Sequence, residues 1–445
     1  MNQLERALEA PDFSAVGSSL CTRTMLLLFP LAAIFHICGA DANLPAPSVV
    51  NAKEGVVACY WEPNLPNLPK FDSGNIEAHL CNHILYGQAK LDNTTWELTH
   101  YNITRDVHLG GFRNISDMKK QHPNLKVEIE VNRNWPTPKE YQEMILDKKK
   151  SDIFVKSVVK FVTKNNFDGL HLHWGKPGAP MDQAKAKFTI LLRELKSALH
   201  LVNLTLSVAI WTPLASNIDK NFEVANVYKE TDLVFINAFH YFGNWFKKTG
   251  GFSPLYPDKD NDVPDEQYLN IDESWRHLLM RRAIPCKTIL VVTAKGSAFK
   301  LKDPAEHGLG AESIEGVAPS IGGDPKFIEY CNLAQPIGEW IREWDEDGRV
   351  PYMYKEDQWL SYEDEVSVAE KLRYIEEQGM AGVALNNLAW DDFLGRCNSN
   401  NTFPLLRLMR KKLKNGGGEC SGSARSARTL LHLRFVLLLL ALFSV

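Results

Sequence analysis

Residues 168–175 read DGLHLHWG, and His171 and His173 within this run are the side chains best suited to chemistry. An imidazole donates, accepts, carries protons near neutral pH and binds metals. Two positions apart on a strand, both rings fall on one face. Glu128 and Glu130 have the same spacing in an earlier β-rich run, so neighbouring strands would set carboxylates against imidazoles. One outcome is a buried hydrogen-bond network, because a carboxylate out of water needs a partner and histidine supplies one. Another is a metal centre of two imidazoles and a carboxylate, as zinc would require. An H-x-H pair alone specifies ligand geometry weakly. The network is the favoured reading, and no metal or other cofactor is expected.

Such side chains need strands to carry them. Apolar, β-rich runs alternate along the chain with amphipathic stretches, the rhythm of βαβ units around a parallel sheet. The expected strands are Val56–Trp61, His83–Leu91, Leu125–Val131, Gly169–Trp174, Leu204–Trp211, Leu233–Tyr241, Thr288–Ala294 and Gly382–Leu388. Between them, Val155, Val158, Val159 and Val162 share a helical face, as do Phe188, Leu191, Leu192, Leu195 and Leu199. Eight such units predict an α/β fold, a (β/α)8 TIM barrel with function at the C-terminal ends of its strands. The stretch 301–362 is too long for a βα loop.

The octapeptide resembles the signature strand of family 18 glycoside hydrolases, the chitinases, whose pattern is D-G-x-D-x-D-W-E. Asp168, Gly169 and Trp174 match it. His171 and His173 stand where the family has Asp, and Gly175 where it has the acid. The resemblance implies that the final Glu would protonate the glycosidic oxygen and that the Asp before it would orient the substrate acetamide, itself the nucleophile. Other motifs depart at the same place. The family's M-x-Y-D on strand six reads Phe239-His240-Tyr241-Phe242, and A-x-G-G-W on strand three reads Glu130-Val131-Asn132-Arg133-Asn134-Trp135. Aligning Asp391-Asp392-Phe393 with the family's strand eight puts Asn386 in the place of its floor Trp.

The resemblance runs from Gly55 to about Cys397. It implies a catalytically inactive, chitinase-like pseudoenzyme that binds a glycan, such as a chitooligosaccharide, or a protein ligand. Tyr241, Trp61, Trp135, Trp211, Glu130, His173 and Asn386 are the candidate ligand contacts, with Trp245 a further aromatic platform. Trp174 is assigned to the core, Trp359 to the insertion, and His240 to the helix side of its strand. The stretch 301–362 resembles the family's small α+β insertion between strands seven and eight. The resemblance also suggests disulfides Cys59–Cys81 and Cys331–Cys397, leaving Cys286 and Cys420 without family partners. Two rivals stay open. One is a hydrolase of altered chemistry built on Glu128, Glu130, His171 and His173, with or without a metal. The other is an adhesion or structural protein with a vestigial groove.

Length and charge bound the rest. The 445 residues suffice for one large barrel, and a formal charge of −4 gives no reason to expect nucleic-acid binding. Residues 1–42 read as a signal peptide, with Met25 to Ile37 its apolar core, Ala40-Asp41-Ala42 its cleavage pattern and the residues before Met25 a spurious extension. Residues 43–400 are the expected barrel and 401–424 a linker. Residues 425–445 read as a GPI-attachment signal, with Ser421, Gly422 and Ser423 as attachment residues and a single-pass helix as the alternative. Sequons at Asn93, Asn102, Asn114, Asn203 and Asn400 fit the secretory pathway, with Asn203 cramped by the strand after it. The expected location is the extracellular face of the plasma membrane, reached through a lipid anchor, or the medium.

Overall fold

Eight runs rich in β-branched and aromatic residues form the staves of one parallel sheet. They are β1 (Val56–Trp61), β2 (His83–Leu91), β3 (Lys126–Val131), β4 (Gly169–Trp174), β5 (Thr205–Trp211), β6 (Leu233–Asn237), β7 (Thr288–Thr293) and β8 (Gly382–Asn386). The computed structural model describes residues 54–63, 69–131, 139–174, 181–213, 215–259, 266–333, 339–397, 401–413 and 420. Each strand pairs in parallel with the next in chain order, and β1 closes the ring by pairing with both β2 and β8. The fold is a (β/α)8 barrel.

Closure divides each strand's residues by parity. Val56, Ala58 and Tyr60 point into the barrel with Leu85, Ala209, Phe235, Ile289, Val291 and Ala384. Val57, Cys59 and Trp61 point outward into the larger layer beneath the helices. That layer takes the apolar faces of α1 (Lys148–Lys164) and α2 (Met181–His200). Phe188, Leu191, Leu192, Leu195 and Leu199 are all buried in it. Trp174 is fully buried there as expected, with Phe188 at 4.9 Å and Tyr141 at 6.0 Å between ring centroids.

The Asp168-Gly169 pair has a structural explanation. A Cβ on Gly169 would collide with the Thr205 carbonyl, so only glycine lets β4 approach β5 there. The Asp168 carboxylate accepts from Val127 N at 2.8 Å and from Lys119 Nζ at 3.1 Å, pinning the start of β3.

Strand six stops four residues short of its expected end. His240 takes a left-handed backbone at φ 65°, and Ala238 N turns back to Ile236 O at 3.1 Å, breaking the ladder. Between β7 and β8 the insertion forms an antiparallel sheet of Ser297–Lys300, Ile341–Asp345, Val350–Lys355 and Gln358–Ser361. It begins before the expected boundary at 301, and Trp359 lies at its centre beside Tyr352 at 5.1 Å and Phe299 at 5.4 Å.

Part of the expected linker is helical. Leu405, Leu406 and Met409 of Pro404–Lys412, with Leu413, bury one face against the barrel and leave Lys411 and Lys412 in solvent. Disulfides join Cys59 to Cys81, Cys331 to Cys397 and, unexpectedly, Cys286 to Cys420.

Candidate functional site

Register brings the paired acids and imidazoles together. Glu130 lies beside His171 across β3 and β4, and His171 beside Ser207 across β4 and β5. All point into the barrel, where they form two tiers.

The lower tier is a chain of hydrogen bonds. Tyr60 OH lies 2.9 Å from His171 Nε2, and His171 Nδ1 lies 2.7 Å from Ser207 Oγ. Ser207 Oγ donates to Glu128 Oε2, while Thr205 Oγ1 donates to Glu128 Oε1 at 2.8 Å. With Glu128 ionised, Ser207 spends its one hydrogen on the carboxylate. His171 must then carry its proton on Nδ1, and Tyr60 donates to Nε2. Phe235 closes one side of the ring, edge-on at 4.7 Å.

Burial sets the titration of this tier. Desolvation pushes the Glu128 carboxyl from 4.5 up to about 7, against the hydrogen bonds of Ser207 and Thr205. Nearby His83 is pulled from 6.5 down to about 3, first by burial and then by Lys126. The folded protein therefore holds more protons at Glu128 than the unfolded chain between pH 4.5 and about 7, and stability contributed there falls as pH rises through that window. His83 acts with the opposite sign, its contribution lost as pH falls from 6.5 towards about 3. Glu128→Gln keeps the shape and removes the first titration. Its unfolding free energy relative to the parent should rise between pH 5 and pH 8 by about 3 kcal/mol, at roughly 1.4 kcal/mol per pKa unit. Urea unfolding at the two pH values measures this, and an equal shift at both would exclude it.

The upper tier faces the groove. His173 Nδ1 lies 3.1 Å from Glu130 Oε1, and His173 Nε2 lies 3.3 Å from Asn237 Nδ2. Donor atoms of Glu130, His171 and His173 all lie within 4.8 Å of one another, close enough to hold a metal ion. Yet each of the four imidazole nitrogens already has a protein partner. The arrangement is that of a hydrogen-bond network, and a metal would have to break it.

Other candidate contacts divide by parity. Trp211 ends β5 on the interior register, edge-on to Phe239 at 5.4 Å, and Asn386 ends β8 on the same inner face. Trp61 is corrected: period two turns it outward, where its ring meets Tyr86 at 5.1 Å. Tyr241 is buried beyond β6 with its hydroxyl 2.7 Å from Ser274 Oγ, and Phe242 is buried against Phe246. His240 is also corrected. Past the strand end, alternation no longer places it, and its Nε2 lies 3.3 Å from Asp324 Oδ1 in the insertion. Burial opposes ionisation of Asp324, but the neighbouring His240, Lys295 and Lys326 side chains hold its carboxyl below the ordinary value. Trp245, 46% exposed, stands beside His240 on this rim. Trp135, Gly175, Asn400, Ser421, Gly422 and Ser423 lie outside the described residues. Asn93, Asn102, Asn114 and Asn203 are exposed, Asn203 in a turn rather than against the strand.

Sequence reasoning missed Tyr60, Ser207, Asn237 and Thr293. Parity was the available signal, since all four share a face with residues it had picked out or end a strand at the mouth. Asn237 Oδ1 and Thr293 Oγ1 are buried and have no hydrogen-bond partner among the described residues.

The profile of glycosyl hydrolases family 18 matches residues 56–391, and the chain belongs to that family. Endochitinase of Manduca sexta is 28% identical over 392 residues, covering 83% of this chain and 69% of that protein. The Ostrinia furnacalis Group IV chitinase solved in complex with allosamidin aligns with a TM-score of 0.76 at 25% identity, over 82% of this chain and 100% of that one. Human YKL-39, described as a pseudo-chitinase with retained chitooligosaccharide binding properties, aligns with a TM-score of 0.73 at 23% identity, over 81% and 99%.

Proposed function

We propose that this protein is a secreted, surface-anchored member of the family that holds a glycan of the chitooligosaccharide class without cutting it. The observation that carries the reading is the pair of buried oxygens, Asn237 Oδ1 and Thr293 Oγ1, at the mouth ends of β6 and β7. Buried polar atoms are nearly always paired, and a hydroxyl-rich ligand entering beside His173 and Trp211 would pair them. The loss of chemistry follows from Gly175, which offers no proton where the family pattern has its acid.

Calorimetric titration with chitotetraose tests the reading. Saturable binding is expected, weakened roughly ten-fold by Asn237→Ala, the worth of about one hydrogen bond. A flat titration would leave the adhesion reading with a vestigial groove, or a protein ligand. A second reading, a hydrolase of altered chemistry at Glu128, Glu130, His171 and His173, is favoured by the close donor cluster alone. Stoichiometric zinc in protein purified without chelators or affinity tags would turn the choice towards it.

A further inference from the structure

We propose that the membrane attachment leaves from the floor of the barrel, so that the groove opens away from the bilayer carrying it and meets ligands presented in trans. The inference rests on the surface-anchored reading above and on where the described chain is tied. The last helix returns to the N-terminal ends of the strands. Gly55 N donates to Leu413 O at 3.0 Å, and Arg410 Nη2 lies 2.8 Å from Glu54 Oε1. Both partners immediately precede β1. Cys420 is then bonded to Cys286, in the turn that enters β7. Since β8 lies between β1 and β7 in the sheet, these three links hold the chain end beneath three adjacent strands.

Reach does the rest. The expected attachment residues Ser421, Gly422 and Ser423 directly follow Cys420. Three residues span at most ~11 Å, at about 3.6 Å each. The mouth is farther away. Helix α2 runs from mouth to floor over 20 residues, which at 1.5 Å per residue is ~30 Å. A tail fixed at Cys420 therefore leaves the groove on the far side of the barrel from its attachment. A spanning helix in place of a lipid would begin past Arg425 and Arg428, too far along the chain for this reach to fix its side, so the orientation is specific to the lipid attachment. The chemistry that fits is a glycan in solution or on an opposing surface, not the glycolipid headgroups of the carrying membrane.

Energy transfer on living cells tests this with the full chain. A donor dye is installed through a non-natural amino acid at Thr94, exposed in the turn after β2 at the mouth, or at Lys164, exposed at the floor end of α1. The acceptor is a lipophilic dye in the outer leaflet. Transfer from the Lys164 position should exceed that from Thr94 by roughly two-fold or more, given a separation of ~30 Å. Equal transfer, or more from Thr94, on protein that remains surface-bound would overturn the orientation alone. Donor signal found only in the medium would overturn the anchored reading, and this inference with it. Phosphatidylinositol-specific phospholipase C separates the two attachments: release supports the lipid, and retention would overturn the lipid attachment from which the orientation is argued.

Discussion

A fluorogenic chitotrioside is expected to stay intact in the presence of the purified protein, and Gly175→Glu alone is expected not to start its turnover. The missing acid is worth about 10²–10⁴-fold by itself. Returning it restores one part of a mechanism whose nucleophile is the substrate's own acetamide. That acetamide must be aligned by a neighbouring group, and His173 stands there with its nitrogens engaged by Glu130 and Asn237. Adding His173→Asp would set a second carboxylate against buried Glu130, and like charges at that distance cannot both ionise. Turnover should therefore emerge only when Glu130→Gly accompanies His173→Asp and Gly175→Glu, with a gain of about 10²-fold or more over background. Release of the fluorophore over hours at substrate saturation measures it. Turnover by the parent protein, abolished by a substitution in the groove, would end the non-hydrolytic reading.

Removing the ring at the centre of the lower tier should cost several kcal/mol of stability. His171 is fully buried, bonded at both nitrogens and flanked by Tyr60 and Phe235. His171→Ala leaves a cavity the closed sheet cannot collapse into and takes one hydrogen-bond partner from each of the Tyr60 and Ser207 hydroxyls. Losses for large aromatic side chains run at about 3–5 kcal/mol, and His171→Ala should fall in that range. His173→Ala, nearer the groove and reachable by water, should lose about 1–2 kcal/mol. Urea midpoints at constant slope give both values. A loss below about 1 kcal/mol at His171 would mean that the tier contributes nothing that packing does not.

The barrel was legible because period two and helical period alternate over eight units, and six of the eight expected strands end within one residue of the observed limits at both ends. The meeting of Glu130 with His173 was legible for the same reason, since alternation fixes which residues share a face. Which face looks inward was legible on β3 and β4, where the family motifs separate Glu130 and His173 from Trp174, but not on β1. Barrel strands are apolar on both sides, so Trp61 and Tyr60 look equally suitable until closure assigns them. The end of β6 was hidden because a left-handed His240 leaves no mark in composition. The last helix was obscured by its charge, although Leu405, Leu406, Met409 and Leu413 already trace a helical stripe. The Cys286–Cys420 bond joins residues 134 apart and follows only from where the tail docks.

The bonded series from Tyr60 to Glu128 reverses only as a whole. Each hydroxyl in it owns a single hydrogen, and the ring between them carries one in its neutral form, so the links cannot reverse one at a time. A proton arriving on Glu128 Oε2 turns Ser207 towards His171, shifts the ring's hydrogen to Nε2 and leaves the Tyr60 oxygen as a receiver. The charge state of an acid sealed inside the sheet is thus written, by relay, onto the polarity of a phenol just under the opening.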